Sequence, residues 1–259
     1  MPEVIGIFDS GLGGLTVLKQ LKKAHPSKKF LYLSDSKRSP YGTKSDDSIQ
    51  AIAKSCVDFL YSKGASQVII ACHTASLVAY ECLSKQTHKT LIPMHLVTLK
   101  QLESLPKNSS LHIMGTESTV KNGFYQNTLK SLRPDLQITT IGCPLLVEYI
   151  QNQFDDPRLL NEILSHYASE QKNCDFVLLA CTHFPILQNP IAQFFGHKSK
   201  IIDPAVFIPN LLEKELTLDA IEDDFFVTKS PVDFNHFASK LFLRPIISKY
   251  VSLEDYVKI

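Results

Sequence analysis

Seven short apolar runs, at 4–8, 30–33, 68–71, 111–114, 138–141, 176–180 and 200–202, punctuate this chain, and most are separated by enough residues for a helix. Runs of that length read as buried strands. Between the second and third, DDSIQAIAKSCVDFLYSKG sets Ile49, Ile52, Ala53, Cys56, Phe59 and Leu60 at helical spacing, with Asp46 and Asp47 opening the segment and Gly64 closing it. Strands that alternate with helices call for parallel βαβ units, and sites in such sheets form at the carboxyl ends of strands. The residues just after each apolar run therefore carry the most weight.

Two of those positions match. VIIACHTASL (68–77) and FVLLACTHFPIL (176–187) each run from apolar residues into Ala-Cys, followed by His and Thr in opposite orders. Cys72 and Cys181 are expected at strand ends before helix N-termini, where backbone N–H groups and the helix dipole favour a thiolate or an anion. A single such cysteine reads most simply as a small buried hydrophobe. The repeat shifts the balance toward chemistry and suggests two similar halves. Zinc fits poorly, because structural sites use C-x₂₋₄-C or H-x₃₋₅-H spacings, and a thiol protease needs one base rather than a second, mirror-placed thiol.

Composition narrows the class. With 259 residues, 44% hydrophobic and 20% charged, the chain is an ordinary globular one, and a net charge of +1 gives no reason to expect nucleic acid. The expected partner is a small molecule. No apolar stretch approaches the roughly 20 residues of a spanning helix, and MPEVIGIFDSG is not a signal peptide, so a cytoplasmic protein with no membrane partner is expected. Six cysteines without a CxxC pair read as free thiols.

Three further motifs follow predicted strands. IGIFDSGLGGLTVL carries Asp9 at a strand end and Gly11, Gly13 and Gly14, but Thr16 stands where a dinucleotide fingerprint needs its last glycine. Asp9 reads either as an acid or base partner for a thiol or as an ordinary N-cap. SPYGTKS (39–45) is a turn rich in hydroxyls and amides, suited to a carboxylate or simply a turn. GTESTV (115–120) offers Thr116, Ser118 and Thr119, of which capping explains one. The turn at 106–110 is the best local candidate for a domain boundary.

FDSGLGG, PYG, ACHTAS, CPLL and ACTHFPIL occur in an order and at distances that resemble the cofactor-independent glutamate racemases of the Asp/Glu racemase superfamily. The resemblance runs from Ile5 to about Asp203. It implies two similar α/β domains, mainly parallel sheets flanked by helices and related by a pseudo-twofold axis, with 1–96 plus 205–259 as the first, 97–204 as the second, and the active site in the cleft. It also implies interconversion of L- and D-glutamate for peptidoglycan synthesis without cofactor or metal, and an association into homodimers.

The chemistry explains why two thiols are wanted. Inverting an amino acid's α-carbon means removing a weakly acidic proton from one face and returning a proton to the other, which one base reaches poorly. By resemblance Cys72 and Cys181 are the two acid/base groups, with Asp9 assisting the first and His183 the second. Ser10, Pro40, Tyr41, Gly42, Thr74, Thr116, Thr119 and Thr182 are then expected to hold the substrate's carboxylates and ammonium. No lysine stands in a pyridoxal-phosphate context.

The chain departs from the family pattern in three places. His73 stands where Asn is usual, Gln151 where Glu is usual, and Leu96 in place of a glycine. Both His73 and Gln151 are expected near the substrate ammonium, and Glu148, three residues before Gln151 on a helix, is expected to supply the missing negative charge. The departures leave open a racemase for aspartate or another amino acid, or a weakened relative acting as a binding module.

Overall fold

The computed structural model describes residues 3–213 and 222–256. In chain order, β1 (Val4–Asp9), α1 (Leu15–Ala24), β2 (Lys29–Ser34), α2 (Asp46–Ser62), β3 (Gln67–Ile70), α3 (His73–Gln86) and β4 (Thr90–Pro93) alternate strictly. Next come α4 (Met94–Leu102), β5 (Ser110–Gly115), α5 (Glu117–Asn122), α6 (Phe124–Leu132), β6 (Gln137–Gly142), α7 (Pro144–Gln151) and α8 (Pro157–Ala168). The last group is β7 (Phe176–Ala180), α9 (Gln188–Phe195), β8 (Lys200–Ile202), β9 (Asp224–Val227), α10 (Pro231–Phe242) and β10 (Ser248–Tyr250).

The chain divides into two compact units, residues 1–94 with 205–259, and residues 95–204. The division falls where β4 ends and α4 begins, two residues ahead of the position taken from the resemblance, because the chain passes straight from Pro93 into the helix. The turn at 106–110 lies inside the second unit and divides nothing.

The first unit holds a six-stranded, wholly parallel sheet in the order β10-β9-β2-β1-β3-β4. The second holds a four-stranded parallel sheet, β6-β5-β7-β8. Within each unit the first four strands follow one order, so β3 and β7 occupy equivalent places beside β1 and β5. The cysteine stretches repeat in sequence because the fold repeats.

Local chemistry sets the element ends. Ser45 Oγ accepts from Ser48 N at 3.4 Å to cap α2, and Asp46 and Asp47 complement the helix dipole. Gly64, at φ +96°, then takes a left-handed turn that a side chain would resist. Each unit has its own core: Phe8, Leu60, Val68 and Ile70 in the first, Met114, Leu146, Leu164 and Val177 in the second. Burying each such side chain contributes about 1.5–3 kcal/mol.

Three strands have no counterpart among the seven apolar runs. β4 is an edge strand whose Thr90 is exposed and Leu91 half-buried, β9 is four residues long and opens on Asp224, and β10 is the polar edge Ser-Lys-Tyr. The edge strands β4 and β10 are partly exposed and lack the continuous apolar run that marks a central strand, while β9, inside the sheet between β10 and β2, offers only the three apolar residues Phe225, Phe226 and Val227.

Candidate active site

In the first unit β1 delivers Asp9 and Ser10, and β3 delivers Cys72. Asp9 is fully buried, and its Oδ2 accepts the Gly11 N–H at 3.0 Å. Gly14 caps α1 so close to this carboxylate that a Cβ there would lie 2.5 Å from Asp9 Cβ. That approach is open only to glycine.

Cys72 sits at the N-cap of α3, and its thiol donates to Ser10 Oγ at 3.5 Å. Burial and the negative charge of Asp9 push the thiol up to about 11, while the Ser10 hydroxyl and the backbone N–H groups of Ala75 and Ser10 pull it down. Burial wins, and the resting group is a thiol. The Asp9 carboxylate therefore favours the proton-donating form of Cys72 and does not by its charge generate a thiolate. His73 and Thr74, the first two residues of α3, are both buried.

The turn after β2 holds Pro40, exposed, Tyr41, buried, and Gly42, half-buried, with Tyr41–Thr43 forming one 3₁₀ turn. The Tyr41 hydroxyl is committed to Asp35 inside the unit.

In the second unit β5 ends at Gly115, and Thr116 caps α5: its Oγ1 accepts from Thr119 N at 3.1 Å and donates to Thr119 Oγ1 at 3.0 Å. One capping arrangement thus engages both threonine hydroxyls. β7 delivers Cys181, Thr182 and His183, all buried. No α-helix starts directly after Cys181: Phe184–Leu187 form a 3₁₀ turn, which contains Pro185, before α9. The expected equivalence of the two cysteines at helix N-termini holds for Cys72 alone.

What Cys181 has instead is an imidazole. His183 Nδ1 lies 3.8 Å from Cys181 Sγ, and burial lowers the ring to about 4, so it is neutral at neutral pH. Its other nitrogen, Nε2, lies 3.5 Å from Gln151 Nε2 at the end of α7. Glu148 occupies a different setting on that helix. It is exposed, and its charge acts on Tyr167 of α8. Three residues along a helix turn about 300°, so the 60° left between Glu148 and Gln151 is enough to put one in solvent and the other against His183.

Sequence reasoning missed Asp35 and Arg38. Asp35 is fully buried and anchors Arg38, Tyr41 and Thr228 together. Its signal was its place two residues past the predicted second strand, at a sheet's carboxyl edge. Among the described residues no group of three His, Cys, Asp or Glu side chains is arranged to hold a metal ion, and no helix is long and apolar enough to cross a membrane.

The family model for Asp/Glu/Hydantoin racemase matches residues 14–208. Glutamate racemase of Fusobacterium nucleatum is 33% identical over 246 residues, covering 91% of this chain and 92% of that protein. Glutamate racemase of Aquifex aeolicus is 35% identical over 191 residues, 73% of this chain and 74% of that one. Among solved structures, glutamate racemase from Francisella tularensis in complex with D-glutamate aligns over 98% of this chain and 99% of its own, with a TM-score of 0.87 at 27% identity. A match over most of the length, on a chain whose paired Ala-Cys stretches close equivalent strands of two parallel sheets, establishes that it belongs to the Asp/Glu/Hydantoin racemase family.

Proposed function

We propose that this protein is a cofactor-independent glutamate racemase that interconverts L- and D-glutamate. The observation that carries the reading is the pairing of Cys72 and Cys181 at the ends of equivalent strands, each buried beside a partner suited to exchange a proton hydrogen bond, Ser10 for one and His183 for the other. Its support for glutamate is that the relatives with 31–35% identity bear the name glutamate racemase.

In the proposed reaction one cysteine, as thiolate, takes the α-proton, so the C–H bond breaks and its electron pair is left on the α-carbon. The other cysteine, as thiol, delivers its proton to the opposite face and becomes the thiolate. The product is the enantiomer, and the next turnover in reverse starts from the swapped state. Cys72, held as a thiol at rest, is the natural proton donor in the free enzyme. In this reading Asp9, whose charge acts on the Cys72 thiol, assists that residue, and hydrogen-bond donors rather than an electron sink meet the transient negative charge.

In this reading Ser10, Thr74, Thr116, Thr119, Thr182 and the backbone of Pro40 to Gly42 hold the substrate. The protein acts in the cytoplasm as a dimer and supplies D-glutamate for peptidoglycan. The test is purified protein incubated with L-glutamate and with D-glutamate separately in deuterated water, followed by circular dichroism and by mass at the α-carbon. Loss of optical activity from both enantiomers, with one deuteron incorporated and no effect of EDTA, is expected. No turnover of glutamate, with turnover of aspartate, would overturn the substrate; no exchange with any amino acid would overturn the activity.

A further inference from the structure

We propose that Gln151 is a positioning residue: by donating its amide N–H to His183 Nε2 it keeps the ring proton on Nδ1, which makes His183 a hydrogen-bond donor to the Cys181 sulfur. This deepens the reading of Cys181 as a proton-transfer group and rests on it. The geometry is a short relay within the second unit. Gln151 Nε2 lies 3.5 Å from His183 Nε2, and on the ring's other side Nδ1 lies 3.8 Å from Cys181 Sγ.

A neutral imidazole carries one N–H and one lone pair, and the group facing one nitrogen decides the role of the other. Buried as it is, His183 is neutral at neutral pH, so there is a single ring proton to place. The Gln151 amide nitrogen brings only N–H bonds, and it meets Nε2 productively only where Nε2 presents its lone pair. The proton then sits on Nδ1. A hydrogen bond donated to sulfur favours the thiolate over the thiol.

A carboxylate at position 151, which the family resemblance leads one to expect, has only acceptors. It would draw the ring proton to Nε2 and turn the Nδ1 lone pair toward Cys181, the arrangement that favours the thiol. The departure at 151 therefore changes which form of Cys181 the site prefers. It does more than remove a charge near an ammonium. Gln151 ends α7, which packs on the turn Phe184–Leu187 directly after His183, so the relay is held at both ends by backbone.

The test uses the whole chain with ¹⁵N-labelled histidine, the His183 signals being assigned by their loss in His183→Gln. Ring-nitrogen shifts give the tautomer, and peptide-resolved iodoacetamide alkylation against pH gives the Cys181 thiolate. Protonation on Nδ1 at pH 7 is expected in the unaltered protein. Gln151→Met, which keeps the length and removes the amide, should shift the ring toward Nε2–H and slow Cys181 alkylation at pH 7 by about fivefold to tenfold. Gln151→Glu should place the proton on Nε2, and it carries the test if the Met variant does not fold.

A ring protonated on Nε2 or on both nitrogens in the unaltered protein overturns the proposal, as does an alkylation profile that Gln151→Met leaves unmoved. Neither readout needs turnover. Failure to racemise glutamate with the tautomer as stated would defeat the proposed function alone, and racemisation with the opposite tautomer would defeat this inference alone.

Discussion

The Tyr41 hydroxyl donates a 2.5 Å hydrogen bond to Oδ2 of Asp35, the same oxygen that takes Arg38 Nε at 2.7 Å, while Thr228 Oγ1 donates to the other oxygen at 2.8 Å. A motif that reads as a substrate-binding turn is thus pinned from beneath by a buried carboxylate. Tyr41→Phe should keep the ring's packing on Phe8, leave Asp35 short of one donor and cost about 1–2 kcal/mol of stability. Denaturant unfolding measures the loss, and kcat should stay within about threefold, as the hydroxyl is engaged by Asp35. A stable Tyr41→Phe protein with no activity would show that the hydroxyl leaves Asp35 to bind substrate.

Cys72→Ser and Cys181→Ser should each lower racemisation by about 10³-fold or more, since a hydroxyl is far too weak an acid to yield a base near neutral pH. Elimination from a β-chloro amino acid needs one base only. Each variant should keep that reaction with one enantiomer and lose it with the other. Full racemisation by either variant would end the two-base assignment.

The buried ring and thiol make opposite contributions to stability against pH. His183 titrates at about 4 when folded against 6.5 in the free side chain, so its contribution is complete above pH 6.5 and is lost as pH falls toward 4, at most about 3 kcal/mol. Cys72 is raised from 9.0 to about 11, so its contribution is complete below pH 9 and is lost as pH rises to 11, again about 3 kcal/mol at most. His183→Gln should flatten part of the acid limb of a stability–pH curve; His95 and His112, also lowered to about 4 by burial, and the lowered carboxyls of Asp135, Asp175 and Asp224 contribute to the same limb. Cys72→Ala should flatten part of the alkaline limb. Equal slopes in the variant and parent chains would contradict the burial argument.

Gly14→Ala tests how tightly α1 closes on Asp9. An added Cβ would meet Asp9 Cβ at 2.5 Å and the Tyr32 hydroxyl at 2.8 Å, both fully buried, so helix or carboxylate must shift. A cost of about 2 kcal/mol and a loss of activity larger than the loss of fold are expected, measured by unfolding and by turnover. A Gly14→Ala protein of normal activity would mean that the position of Asp9 is not critical.

The central strands and the cysteine stretches were legible because buried parallel strands are continuous apolar runs, and a run that ends in Ala-Cys twice is a local pattern. β9 and β10 were not, since a four-residue strand opening on Asp224 and the Ser-Lys-Tyr edge take their structure from a neighbour's hydrogen bonds rather than from their own side chains. The same limit applies within the candidate site. Sequence order puts Cys181 two residues from His183, and their contact follows from a turn; Gln151 is thirty-two residues from His183, and no spacing rule predicts that meeting. Glu148 shows the converse, a spacing rule that is satisfied while the side chain points to solvent.

That placement separates two changes that the family pattern treats together. Glu148 is exposed and acts on Tyr167, so Glu148→Gln should leave KM for glutamate within about twofold, the small effect of a solvent-screened charge. His73 is buried in the first turn of α3, and the lone pair of an imidazole there is suited to meet an ammonium as an acceptor. The pair His73→Asn with Gln151→Glu restores an amide beside Cys72 and a negative charge beside His183, and it should lower KM by about threefold to tenfold, while the carboxylate's hold on the His183 proton lowers kcat in the direction that starts from the Cys181 thiolate. Steady-state kinetics in both directions on the single and paired variants distinguish the contributions. A large rise in KM from Glu148→Gln would return Glu148 to the ammonium site, and a restored pair no better than the parent chain would mean that His73 and Gln151 already serve this substrate as well as the family residues do.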